Sequence, residues 1–155
     1  IGLYSHKIKS LDEIKDGDTV AVPNDPTNDA RGILLLQQAG LIKVKDGVKY
    51  PTSTDVAENP KHLQIKELEA AQIPRSLDDV TFAAINTNFA MDAGLDPVHD
   101  AFFREDKDSP YANILAVHED DVNNATLQKI VKIYQSDTIK QYIEEHFKGA
   151  LIPAF

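Results

Sequence analysis

Arg31, Asn86 and Asn113 are the side chains of this 155-residue sequence whose types and settings could recognise a ligand. Arg31 falls in the second turn of a leucine-rich stretch. The residues three and four positions on, Leu34 and Leu35, leave its guanidinium on a largely apolar surface that calls for an anion. A helix starting behind Asn24-Asp25-Pro26-Thr27-Asn28 would add amides and the positive end of its dipole, and together they could hold a carboxylate. The plainer reading is an arginine that snorkels to solvent or pairs with a protein carboxylate. Asn86 and Asn88 follow an apolar run over residues 80–85, at what would be the carboxyl end of a strand, the side on which α/β sheets bind ligands. Capping of the next helix would explain both equally well. Asn113 interrupts Tyr111-Ala112-Asn113-Ile114-Leu115-Ala116-Val117, an apolar segment in which a buried amide must find partners. A ligand's ammonium and carboxylate would satisfy both ends of that amide, and so would neighbouring backbone. The three residue types converge on recognition of a zwitterion.

The elements that would position them alternate between strand and helix. Ser10-Leu11-Asp12-Glu13 matches a capping box and predicts a short helix ending near Asp16-Gly17. Residues 19–22 read as a buried strand closed by the turn residues Pro23-Asn24-Asp25-Pro26, and residues 27–38 as a helix stopped by Gly40. Residues 41–44 and 48–50 could pair as a hairpin across Asp46-Gly47, with a short helix over 54–58 after them. Residues 63–68 alternate as a half-exposed strand does. A second cap signal, Ser76-Leu77-Asp78-Asp79, precedes the buried strand over 80–85, and a helix should run from 86–88 to Gly94. A strand over 112–117 and helices over 125–134 and 138–147 complete an α/β chain with largely parallel sheets. The only candidate crossovers between lobes are residues 4–8 and 86–88, with no Ser/Gly linker and no internal repeat.

Composition excludes several functions. The chain is 42% hydrophobic and 26% charged, as an ordinary globular protein is, with no apolar run long enough to span a bilayer and no signal sequence at Ile1-Gly2-Leu3-Tyr4. A net charge of -9 without a basic patch disfavours nucleic acid and anionic lipid. The absence of cysteine removes thiol catalysis, disulfides and Cys-ligated zinc, and fits an exported protein. His6, His62, His99, His118 and His146 lack metal-ligand spacing. Glu105-Asp106-Lys107-Asp108-Ser109-Pro110 lacks the glycine and terminal glutamate of a calcium loop and reads as a turn. No nucleophile elbow or phosphate loop occurs, and the pairs Asp120-Asp121 and Glu144-Glu145 read as solvated faces. No cofactor is expected.

Val22-Pro23-Asn24-Asp25-Pro26-Thr27-Asn28, followed by Arg31 and Leu34-Leu35-Leu36-Gln37, resembles the signature of the methionine-binding, NlpA-type lipoprotein family. So do Glu67-Leu68-Glu69-Ala70-Ala71-Gln72-Ile73-Pro74-Arg75-Ser76-Leu77-Asp78-Asp79, Ile85-Asn86-Thr87-Asn88-Phe89-Ala90 and Glu105-Asp106-Lys107-Asp108-Ser109-Pro110-Tyr111, in the family's order and spacing. The resemblance implies the type II periplasmic-binding-protein fold, two α/β lobes that close on a ligand. It implies that Arg31 holds the ligand carboxylate and that Asn86 and Asn113 hydrogen-bond the amino acid's main-chain groups. The function implied is extracytoplasmic capture of methionine for the membrane permease of an ABC importer, without enzymatic activity. The family's aromatic and histidine wall around the thioether, and its lipid-bearing cysteine, lie upstream of the Tyr4-Ser5 region. The chain is therefore expected to be a fragment with one lobe incomplete. Residues 1–16 would end the first lobe and cross over, 17–86 would form the second lobe, and 87–155 would return to the first. Membrane attachment would be through a lipidated N-terminus outside this chain.

Close alternatives are a sibling receptor for another amino acid or for a methionine-containing dipeptide. The ligand-sensing domain of a regulator would need a basic helix-turn-helix, and a tetrapyrrole-assembling deaminase of the same fold would need a cysteine; neither is in the sequence.

Overall fold

In the computed structural model, residues 1–106 and 109–155 are described, and the chain divides into two units, Ile1–Glu105 and Asp106–Phe155. The first unit contains the strands β1 (Gly2–Tyr4), β2 (Thr19–Pro23), β3 (Lys43–Val44), β4 (Val56–Glu58), β5 (Gln64–Leu68), β6 (Phe82–Ile85) and β7 (Ala101–Arg104). Its helices are α1 (Pro26–Gln38) and α2 (Thr87–Asp92). A five-stranded sheet runs in the order β5-β2-β6-β1-β7, and β3 and β4 pair separately. β2 is parallel to β5 and β6, whereas β1 is antiparallel to β6 and β7, so the sheet is mixed instead of largely parallel. The stretch expected as one lobe, 17–86, carries β2 to β6, and β1 and β7 on either side of it join the same sheet.

The period of two along the strands puts a core on each face of this sheet. Leu3, Val20, Val22, Phe82 and Ala84 join Ile33 and Leu36 of α1 in one cluster. The alternate residues Tyr4, Ala21, Ala83 and Ile85 join Ile73, Leu77, Val80 and Ala90 in the other. A strand with both faces covered reads as a continuous apolar run, which is why residues 80–85 were legible. α1 starts at Asp25, whose carboxylate accepts the Asn28 amide at 3.1 Å, with Pro26 pre-set in its first turn. Gly40, at φ +73°, ends it. A Cβ on Gly32 would lie 3.2 Å from Val22 Cβ, so glycine lets the helix sit close on β2.

Several local expectations are corrected. Val48 to Tyr50 forms no strand; β3 pairs with β4, from the stretch expected to be helical. There Thr52 and Asp55 form a capping box that closes one 3-10 turn over Ser53–Asp55, and the ladder with β3 then takes the next residues. Leu11–Glu13 is likewise a single 3-10 turn. In it the Glu13 amide goes to the Ser10 carbonyl at 3.3 Å, and Glu13 Oε1 accepts from the Lys9 amide and from Ser10 Oγ. The Ser10 hydroxyl is thus turned to the glutamate carboxylate and makes no cap to the turn's amides. The turn expected over 105–110 contains Lys107 and Asp108, which lie outside the described residues.

The second unit contains α3 (Ala125–Tyr134) and α4 (Asp137–Phe147), close to the predicted spans. Asn124 caps α3 by accepting from the amides of Thr126 and Leu127, and Ser136 caps α4 by accepting from Ile139. The strand expected over 112–117 is absent, and Ile114 is 82% exposed. Apolar, β-branched composition supports a strand only where a neighbour supplies the ladder, and no described residue does so here.

Candidate functional site

β2 and β6 are adjacent and parallel, and each runs at its carboxyl end into a helix: β2 into Asp25 and α1, β6 into Asn86 and α2. β1 starts and β7 finishes at the same edge, since Gly2 is opposite both Ile85 and Arg104. Glu105, the next residue after β7, therefore arrives where α1 presents Arg31. Its carboxylate takes Arg31 Nε at 3.0 and 3.1 Å and Nη2 at 2.5 Å. The pairing is two-pronged and charge-assisted, with side chains only 20% and 14% exposed. Half of the plain reading of Arg31, a protein carboxylate as partner, is thus realised. That partner also fixes the plane of the guanidinium and offsets its charge at a partly dry edge.

Asn86 is the residue before α2, yet its side chain caps nothing. Its Nδ2 donates instead to Asn28 Oδ1 at 2.8 Å, across from the first turn of α1. Asn28 Nδ2 in turn donates to both oxygens of Asp25, at 3.1 and 3.0 Å. Asn86 Oδ1 is buried and has no hydrogen-bond partner among the described residues. Asn28, three residues before Arg31 on the same helix, thus ties two of the expected site residues to one edge. Asn113 belongs to the other unit, where it is exposed in a loop. The buried amide expected there is absent because no strand forms around it. Asn88 is exposed on α2.

Two residues of this edge escaped sequence reasoning. Glu105 lies 74 positions from Arg31, and no local pattern announces such a pair. Asp29 is 5% exposed, and its Oδ1 also lacks a partner among the described residues. Burial, followed by the nearby charges of Glu67 and Asp25, pushes its carboxyl up to about 6. The signal was available: 29, 33 and 36 share one helix face, and the other two positions are Ile33 and Leu36.

Among the described residues no group of three or more His, Asp or Glu side chains could hold a metal ion. His6, His62 and His99 each pair with a separate exposed aspartate, at 2.8, 2.6 and 2.8 Å. What the edge offers is a cation with its counter-ion, helix N-termini and an oriented amide, the equipment for holding a small polar ligand.

A mixed α/β sheet with this equipment at the carboxyl edge of its parallel strands is part of a periplasmic-binding-protein fold. The solved structure of an ABC transporter periplasmic substrate-binding protein from Coxiella burnetii has a TM-score of 0.93 to it at 48% identity, over 99% of this chain and 65% of that one. The chain belongs to the NlpA lipoprotein family, which matches residues 1–155. It is 55% identical over 152 residues to the D-methionine-binding lipoprotein MetQ of Salmonella typhi and 53% identical over 152 residues to that of Escherichia coli. Each match takes in 96% of this chain, which spans 56% of the length of these relatives. A nutrient binding protein from Burkholderia cenocepacia, solved bound to methionine, has a TM-score of 0.94 at 48% identity, over 100% of this chain and 66% of that one.

Proposed function

We propose that the chain is the greater part of an extracytoplasmic substrate-binding protein that captures methionine and hands it to the permease of an ABC importer, with no catalysis of its own. The observation that carries this reading is the edge of the first unit, where Arg31, oriented by Glu105, and Asn86, oriented by Asn28, come together. Arg31 takes the ligand carboxylate there, and Asn86 takes a main-chain group. Asn113 is a third ligand residue, an assignment that rests on the family resemblance alone. The family and the names of the relatives supply the choice of methionine. In the same reading Ile1–Glu105 holds one lobe, centred on 17–86, and Asp106–Phe155 belongs to the other. Attachment to the membrane is through a lipid, as the family's name has it; no described helix is long and apolar enough to cross a bilayer.

The test is calorimetry on a protein of the relatives' full length that carries this chain. Arg31→Ala should weaken methionine binding by about 2–5 kcal/mol, and Arg31→Lys should bind poorly because an ammonium cannot reproduce the guanidinium fork. Unchanged affinity in Arg31→Ala removes the carboxylate assignment, and with it the reading of this edge as the ligand site.

A further inference from the structure

Asp25 and Asn28 fix which way the Asn86 amide is turned. An ionised carboxylate has only lone pairs to offer, so the group of Asn28 that meets Asp25 must be its NH2. It meets both oxygens, at 3.1 and 3.0 Å, and the Asn28 backbone amide holds the same carboxylate at 3.1 Å. Asn28 Oδ1 is then the atom turned to Asn86, and at 2.8 Å it requires a donor, which only Nδ2 of Asn86 supplies. Reversing Asn86 would set two carbonyl oxygens against each other. Reversing Asn28 to relieve them would set its oxygen against the carboxylate. One charge, held at the cap of α1, thus propagates through two amides and leaves Asn86 Oδ1 as a buried acceptor without a donor among the described residues. A buried acceptor in that condition costs stability until a donor reaches it.

We infer that Asp25 and Asn28 are positioning residues that lock Asn86 as an acceptor for the α-ammonium group of the ligand, making the site selective for amino acids over carboxylates that lack the amino group. The inference rests on the proposed amino-acid site at this edge and deepens it. The two poles of the zwitterion are divided between Arg31, which has only donors, and Asn86, whose acceptor is held without a donor among the described residues. Neither Asp25 nor Asn28 needs to touch the ligand.

The experiment compares methionine with 4-(methylthio)butanoate, the same molecule without its amino group, by calorimetry on the protein of full relative length. The unsubstituted protein should prefer methionine by about a hundredfold or more, because the deamino compound leaves a buried acceptor unpaired. Asp25→Asn keeps a side chain able to cap α1 but can turn either face to Asn28. It should cut the preference about tenfold, chiefly through weaker methionine binding, and Asn28→Ala should do the same. Asn86→Ala should abolish the preference, and Arg31→Ala should weaken both compounds alike. If Asn86→Ala binds methionine normally, the amino-acid reading of Asn86 itself fails. If Asn86→Ala loses the preference while Asp25→Asn and Asn28→Ala retain it, the site stands and the relay is overturned. The relay is equally overturned if those two variants weaken both compounds by the same factor, which is the mark of a purely structural cap. Should Asn28→Ala not fold, Asp25→Asn decides alone.

Discussion

The helices of the two units differ in what they bury more than in how they are built. α1 buries Ala30, Gly32, Ile33, Leu35 and Leu36 and, at its start, the carboxylate of Asp29. α3 and α4 are more strongly amphipathic than α1 and, like it, carry a side-chain cap at the N-terminus, yet neither contains a buried residue. Ile133, Tyr134 and Tyr142 stand more than half exposed. An apolar stripe records what a helix can cover; whether it does so depends on an opposing surface. In Ile1–Glu105 that surface is a sheet with a core on each face. In Asp106–Phe155 the described helices rest on local hydrogen bonds and caps.

The sharpest way to break this comparison is to shorten one apolar side chain in each unit. Phe82, fully buried in the central strand β6, stacks edge-on with Phe102 at 6.0 Å. Phe82→Ala should cost about 3–5 kcal/mol through lost transfer energy and the cavity left behind. Ile133 is 63% exposed, and Ile133→Ala should stay within about 0.5 kcal/mol. Urea unfolding followed by circular dichroism measures both. Comparable losses would mean that α3 buries Ile133 in solution and that the contrast between the units is false.

Legibility in the sequence followed the same division between local and distant causes. β2, α1, β6, α3 and α4 were readable because caps, turn residues and apolar periodicity are written within each element. β1 and β7 were not, being three and four residues long and existing only through antiparallel pairing. The hairpin at Asp46-Gly47 failed because the partner of β3 is β4, beyond the expected second strand. At the site, Arg31 and Asn86 could be singled out from their setting, helix face and strand end. Glu105 and the Asn28 relay could not, since each depends on which strands end side by side. Asn113 was read as buried from its apolar neighbours, and burial is a property of what covers a segment.

Asp29 sharpens the comparison from the other side, for it is a polar group caught in the burial that the second unit lacks. Its carboxyl is raised from 3.8 to about 6, so the folded state holds the proton more tightly than the unfolded chain. The stability this contributes is complete below about pH 4 and is lost as pH rises through 6. Asp29→Asn removes the ionisation. It should gain about 1–2 kcal/mol at pH 7.5, after allowance for solvent screening, and nothing at pH 3.5. Unfolding curves at the two pH values measure it. A gain of equal size at both would assign the effect to side-chain size, with ionisation playing no part.

The smallest effect concerns a cap, where the second unit should respond and the first should not. Asn124 Oδ1 accepts from the amides of Thr126 at 3.0 Å and Leu127 at 3.4 Å, serving donors that the first turn of α3 cannot pair within the helix. Replacing such a side chain with alanine typically costs about 1 kcal/mol. In a helix tied into a large core, that loss is shared across the cooperative unit and disappears into global unfolding. α3 has no buried residue to share it, so the loss should stay local. Asn124→Ala should raise hydrogen exchange at the first paired amides of α3 about fivefold, leave α1 and β6 unchanged, and be reversed by Asn124→Asp, which restores the acceptor. Unchanged exchange in α3 would mean that a tertiary surface, and not its cap, holds the helix. Faster exchange in β6 as well would mean that the two units unfold as one.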